Sequence, residues 1–145
     1  MQSIDDRKKL IKNSFNSLSK DNLGVLDSFY DNEIEFTDPV TSVRGLYAAK
    51  KYYKHTYQNV ISIHFDFLEI KSEGDSFFAR WNMRLEVKNL NRKKPFTVEG
   101  ISVLKFGKNE KVIYHRDYFD LGSMVYEKIP LLGAIVQKIK DVMQG

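Results

Sequence analysis

Two aspartates sit in patterns suited to proton chemistry. Asp38 closes the segment Glu33-Ile34-Glu35-Phe36-Thr37-Asp38-Pro39, whose alternation reads as a strand with Ile34, Phe36 and Asp38 on one face and Pro39 as its stop. A carboxyl group among apolar side chains has its charged form disfavoured, so its pKa is expected to rise. Asp117 lies on another alternating run, sharing a face with Ile113, His115 and Phe119. On a third run, Phe78, Arg80, Asn82 and Arg84 share one face, and Ala79, Trp81, Met83 and Leu85 share the other, more apolar one. If Arg80 faces Asp117 in the interior, the guanidinium forms a bidentate, partly desolvated pair that keeps the carboxylate charged. Two carboxylates whose pKa values are pushed apart make an acid/base pair. In that reading Asp38 transfers the proton, Asp117 is the ionised base or electrostatic anchor, Arg80 is its partner, and Asn82 hydrogen-bonds the ligand.

Each of these residues also has a plainer role open to it. Asp-Pro is a common turn start, in which the aspartate accepts backbone hydrogen bonds. An Arg80–Asp117 pair can simply fix strand register, and Asn82 can satisfy a buried backbone group. His115 is more often a packed histidine than a catalytic one, and His55 and His64 read as surface residues. The aromatic residues Phe15, Phe29, Phe36, Tyr53 and Tyr57 either line an apolar pocket or fill a core. His115-Arg116-Asp117 spells a kinase triplet, but no glycine-rich loop or magnesium motif accompanies it. The three histidines have no metal-ligand spacing, so neither metal nor cofactor is expected. With no cysteine, disulfide scaffolds, thiolate metal sites and cysteine nucleophiles are excluded.

The elements that must position these residues follow from periodicity and punctuation. Ser3 caps a first helix with Asp5 and Asp6 at its positive end, and Ile4, Ile11, Phe15 and Leu18 recur at helical spacing. Leu23, Leu26 and Phe29 suggest a short second helix. After the Asp38 strand, Arg44-Gly45 turns into a third helix, Leu46 to about Gln58, with Leu46, Ala49, Tyr53 and Tyr57 along one stripe. Ile61, Ile63, Phe65 and Phe67 alternate, then Leu68 and Ile70 shift phase, which predicts a bulge. Gly74-Asp75 turns into a strand from Ser76 to Val87. Further strands run from Phe96 to Phe106 and from Lys111 to Phe119. Helical residues are expected around Leu121 to Glu127, and beyond Pro130 a last amphipathic helix carries Leu132, Ile135, Val136, Ile139 and Met143 on one face. The class is α+β, with helices packed on one face of a curved antiparallel sheet. With 145 residues and no linker or repeat, residues 1–145 read as one domain, with a C-terminal helix of about 131–143.

Hydrophobic residues make up 42% of the chain and aromatic residues 13%, enough for a sizeable core rather than a disordered chain. The net charge of +4 resides in the run Lys88-Asn89-Leu90-Asn91-Arg92-Lys93-Lys94, which reads as a solvated hairpin loop. Outside it acidic and basic residues balance, so no nucleic-acid partner is expected. The polar start Met1-Gln2-Ser3-Ile4-Asp5-Asp6 resembles no secretory signal, and the apolar run Ile129 to Gln137 is far short of the ~20 residues that span a membrane. A cytoplasmic location is expected. The last helix, flanked by Lys128, Lys138 and Lys140, would pack on its own domain or a partner subunit in preference to a membrane surface.

The order helix–helix–strand–helix–meander, with Ile34-Glu35-Phe36-Thr37-Asp38-Pro39-Val40 and His115-Arg116-Asp117-Tyr118-Phe119-Asp120-Leu121-Gly122, resembles the nuclear-transport-factor-2-like superfamily. Within it the chain is most similar to the SnoaL-like group of ketosteroid isomerases, polyketide cyclases and limonene epoxide hydrolases, a resemblance that covers a core of about residues 5–126 and leaves the last helix as an extension. The resemblance implies a cystatin-like cone, a bent sheet around the long helix enclosing an apolar pocket, and commonly a homodimer. Asp38-Pro39 matches the proton-shuttling Asp-Pro of the isomerases, while Phe15 and Ser102 stand where those enzymes have an enolate-stabilising tyrosine and a protonated acid. Against the epoxide hydrolases, Asp117 matches the water-activating aspartate and Arg80 the bridging arginine. Asn82 replaces their epoxide-protonating aspartate, and Phe36 and Asp38 stand at their water-holding tyrosine and asparagine. The expected function is binding of a small apolar molecule of lipid, steroid or terpenoid type, with Phe15, Phe36, Tyr53, Ser102, His115 and Phe119 lining the pocket. Isomerisation, cyclisation, dehydration or hydrolysis would need no cofactor. The alternative is a non-catalytic ligand-binding or dimerisation module.

Overall fold

The computed structural model describes residues 2–88, 94–120, 122 and 130–145. Most of the basic loop and the helical segment expected around residues 121–127 lie outside the described residues. Helix α1 (Ile4–Ser17) starts on a capping box, in which the Ser3 hydroxyl accepts from the Asp6 amide and the Asp6 carboxylate accepts from the Ser3 amide. These bonds hold the Asp6 carboxyl below its ordinary pKa. The inner face of α1 differs from the expected stripe: Ile4 is exposed, and Arg7 is buried with Ile11, Ser14 and Phe15. Arg7 ties the helix to two distant turns, bonding Asp75 at 2.8 Å and Glu110 at 3.1 Å with its guanidinium over the Phe106 ring.

Helix α2 (Val25–Phe29) runs into strand β1 (Tyr30–Thr37), then β2 (Ser42–Arg44), helix α3 (Leu46–Tyr57) and the strands β3 (Val60–Glu73), β4 (Ser76–Val87), β5 (Phe96–Phe106) and β6 (Val112–Phe119). Helix α4 (Pro130–Gln144) leaves Ile135, Ile139, Val142 and Met143 exposed. Among the described residues no helix is long and apolar enough to cross a membrane. The sheet order is β2-β1-β6-β5-β4-β3. Its neighbours are antiparallel except β1 and β6, which run parallel. The phase shift near Leu68 is a register shift between Phe67 and Glu69, which bends β3.

The cross-strand rows decide which side chains meet inside. Ala79, Ser102 and Asp117 form one row across β4, β5 and β6, and Phe77, Leu104 and His115 the next, with Phe36 of β1 beside His115. These rows face α1, α2 and α3. The inner face of β4 is Phe77, Ala79, Trp81, Met83 and Leu85, all buried. At about 25 cal/mol per Å² of apolar surface, burying five such side chains outweighs any preference for a charged residue inside.

Candidate functional site

Asp38 lies one residue beyond β1 and is half-buried. Its Oδ1 accepts from the amides of Val40 and Thr41 at 2.8 and 2.9 Å, so it does organise the turn after Pro39. Its Oδ2 accepts the hydroxyl of Tyr52 at 2.5 Å. The sequence reading of a carboxyl group bare among apolar side chains is therefore corrected: three donors surround it. Tyr52 comes from α3, and burial, then the bond to Asp38, raises the pKa of its phenol, which stays neutral and donates.

Asp117 is reached from the opposite end of the chain. Its side chain is 16% exposed, and its Oδ1 accepts the Ser102 hydroxyl at 2.5 Å and His115 Nε2 at 2.6 Å. Ser102 is fully buried and accepts the indole N–H of Trp81 at 2.9 Å. An indole nitrogen only donates, so the serine hydrogen must point to Asp117. Behind His115, Nδ1 meets the Tyr30 hydroxyl at 2.6 Å, and Tyr30 meets the Tyr53 hydroxyl at 3.0 Å. Burial raises the pKa of both phenols well above the ordinary tyrosine value. Phe15 stacks on the His115 ring and Phe36 meets it edge-on.

Arg80 takes no part in this site. It pairs across the sheet with Ile101, which pairs with Tyr118, a row whose parity is opposite to that of Asp117. Its side chain is 55% exposed on the outer face and lies 3.6 Å from Glu69. The expected Arg80–Asp117 pair is absent because the apolar face of β4 turns inward. The guanidinium's place beside Asp117 is taken by His115 and Ser102. Asn82 shares the outer face, half-buried, and its Oδ1 is buried without a hydrogen-bond partner.

The two aspartates meet at one hollow of about 280 Å³. Asp38, Tyr52, Tyr53, Thr56, Tyr57 and Asp117 are its polar lining residues, and Phe36, Ile63, Phe65, Met83, Leu85 and Phe119 are among its apolar ones. Of the expected lining residues, Phe36, Tyr53 and Phe119 stand in this wall. Phe15 and His115 line a smaller chamber of about 40 Å³ behind it, and Ser102 lies beneath Asp117. Tyr30, Tyr52 and Trp81 were missed as site residues. The adjacent tyrosines 52 and 53, facing different ways on α3, were the available signal. Among the described residues no three histidine or acidic side chains gather as a metal site would require.

A curved sheet backed by three helices, with an apolar hollow whose wall carries one acid from just beyond β1 and one from β6, defines an α+β fold of the nuclear-transport-factor-2-like kind. The chain belongs to the SnoaL-like domain family, whose model matches residues 11–115 and ends two residues before Asp117. A protein from Catenulispora acidiphila with a ketosteroid-isomerase-like fold, solved with trimethylamine, has a TM-score of 0.73 and 15% identity over 87% of this chain and 93% of that one. An NTF2-like protein from Burkholderia pseudomallei has a TM-score of 0.71 and 14% identity, covering 81% and 93%. An LEH-like epoxide hydrolase from M. tuberculosis has a TM-score of 0.65 and 14% identity, covering 79% and 83%. At such identities the likeness is one of fold. No curated protein matches the sequence.

Proposed function

We propose that this protein binds a small, largely apolar molecule in the 280 Å³ hollow and moves a proton on it without a cofactor. The observation that carries the reading is the opening of both aspartates and a neutral phenol onto one apolar space. Asp117 is the proton acceptor: its Oδ1 takes the bonds from Ser102 and His115, and neither of these bonds engages Oδ2. Asp38 and Tyr52 form the second proton-transferring group. Phe15 has no donor and the Ser102 hydrogen is directed at Asp117, so neither can stabilise an enolate. That favours cyclisation, dehydration or hydration of a lipid-, steroid- or terpenoid-like molecule over ketosteroid isomerisation.

A second reading, a binding module without turnover, is favoured by one observation: Asp38 already accepts three hydrogen bonds from the protein itself. A panel of steroid and terpenoid ketones, hydroxyketones and epoxides separates the two, with binding followed by thermal shift and products by mass spectrometry. Turnover that falls about 10²-fold in Asp117→Asn while binding persists supports the acid–base reading. Binding with no turnover of any panel member by the unaltered protein overturns it in favour of the second.

A further inference from the structure

From Pro39 to Phe65 the chain carries no acidic residue, and α3 inside that stretch holds Lys50, Lys51, Lys54 and His55. At about 100° per residue, Lys51, Lys54 and His55 fall on one face of the helix, opposite Tyr53 and Thr56, which line the hollow. That outer face meets the turn between α1 and α2. The two border a cleft of about 680 Å³ lined by Lys20, Lys50, Lys51, Lys54 and His55, in which Asp21 is the one acidic lining residue. The turn is held in shape by the Asn22 amide, which donates to the Ser19 carbonyl at 3.1 Å, and by the Asn22 side chain, which donates to the Ser17 carbonyl at 2.7 Å.

Part of this charge has a plain role. Lys50 pairs with Asp27 at 2.7 Å, and Lys54 and His55 stand in the last turn of α3, where cations favour the helix dipole. Neither role covers Lys51 or Lys20. Lys51 lies three residues before Lys54 and four before His55, a spacing at which like charges weaken a helix. Lys20 belongs to no helix, yet lines the same cleft. Among the described residues Lys20, Lys51 and Lys54 form no salt bridge. Set against Asp21 they leave a surplus of positive charge in a concave space, which focuses the field on an anion. The hollow across α3 has the opposite character: Asp38 and Asp117 line it, and no lysine or arginine does. An anionic group is repelled from the hollow and drawn to the cleft. Lysine ammonium groups are point charges with rotatable donors, which suit phosphate better than the planar, bidentate recognition of a carboxylate.

We propose that this cleft is a second binding site, which takes the diphosphate group of a small molecule with Lys20 and Lys51 as its anchors. Such a group arrives either free or as the charged end of a molecule whose apolar part occupies the hollow. A groove of about 330 Å³ borders both spaces around the C-terminal end of α3. It shares Lys20 and Asp21 with the cleft, and Tyr57, Val60 and Ile63 with the hollow. The cleft uses no group assigned to proton transfer, so it and the acid–base reading of Asp38 and Asp117 fail separately.

The test is calorimetric titration with inorganic pyrophosphate at low ionic strength. Saturable binding is expected, weakened about tenfold or more in Lys20→Gln/Lys51→Gln. Both positions are exposed, so the fold is expected to persist, which circular dichroism checks. Lys71→Gln/Lys105→Gln removes the same charge from exposed positions on the outer face of the sheet and is expected to change affinity less than about twofold. No saturable binding, or an equal loss in the two double variants, overturns the site. Farnesyl diphosphate then separates the two sources. Binding about tenfold tighter than pyrophosphate, with the Met83 methyl resonance moved, supports a diphosphate carried by the ligand of the hollow. Equal affinity with Met83 unmoved supports a free diphosphate. Farnesyl diphosphate that binds Lys20→Gln/Lys51→Gln as tightly as the unaltered protein overturns the proposal.

Discussion

Gly100→Ala probes how tightly the scaffold grips Asp117. A Cβ at position 100 would lie 2.4 Å from Trp81 Cη2, 2.7 Å from Trp81 Cζ3 and 2.8 Å from the Tyr118 carbonyl oxygen. Ordinary carbon–carbon contact is about 3.5 Å or more, so the indole must retreat by roughly 1 Å. The Tyr118 carbonyl cannot give way easily, because β6 is held in register on β5. The indole is held too, by its bond to Ser102 and by the Phe65 ring meeting it edge-on at 5.1 Å. Overpacking of a dense core costs about 1–3 kcal/mol, and losing the Trp81–Ser102 bond adds about 1 kcal/mol. The expected destabilisation is about 3 kcal/mol, or roughly 10 °C in Tm for a chain of this size. Trp81 is the protein's single tryptophan and is buried, so its fluorescence during urea unfolding reports both stability and displacement. Because the indole holds the Ser102 hydroxyl on Asp117, turnover should fall with it. A Gly100→Ala protein with unchanged urea midpoint and unchanged Trp81 emission would refute the packing argument and the linkage from Trp81 to the site.

Two further predictions concern the fold that carries the site. Burial holds the phenols of Tyr30, Tyr52, Tyr53 and Tyr57 above their ordinary value. A folded-state pKa above the unfolded one gives stability that is complete below about pH 10 and lost as pH rises further. These four of the eight tyrosines should therefore ionise only with unfolding, which ultraviolet tyrosinate absorbance against circular dichroism checks; full titration near pH 10 of an intact fold would contradict it. Arg7→Met should cost about 1–3 kcal/mol in urea unfolding, the value being limited by the exposure of Asp75 at the other end of the pair. An unchanged midpoint would show that the Arg7 clamp contributes nothing.

Much of the architecture could be read in advance because sheet periodicity is local. The bounds of β4 and β5, the bulge near Leu68 and the Ser3 cap all follow from alternation, turn residues and one hydroxyl. Strand β2 has three residues, too few to show a period. The parity of β4 was legible as well, but its facing was misread. The row Phe77, Ala79, Trp81, Met83, Leu85 is apolar without exception, and that row goes inside, sending Arg80 to the surface. A hollow with Asp38 and Asp117 at its wall was expected only from the resemblance, because strand faces alone do not say which of them meet. The partners of the two acids were not anticipated, because Tyr52, Ser102, His115 and Tyr30 reach them through pairings between distant segments that no local pattern encodes.

The central claim, that the hollow between the two acids is where a ligand sits, is tested most directly by methyl NMR of the four methionines. Met83 lines the hollow, whereas Met143 is exposed on α4. Titration with a terpenoid ketone from the substrate panel should move the Met83 methyl resonance, and Asp117→Asn should leave that shift in place. A ketone that perturbs Met143 while Met83 stays fixed would contradict the account.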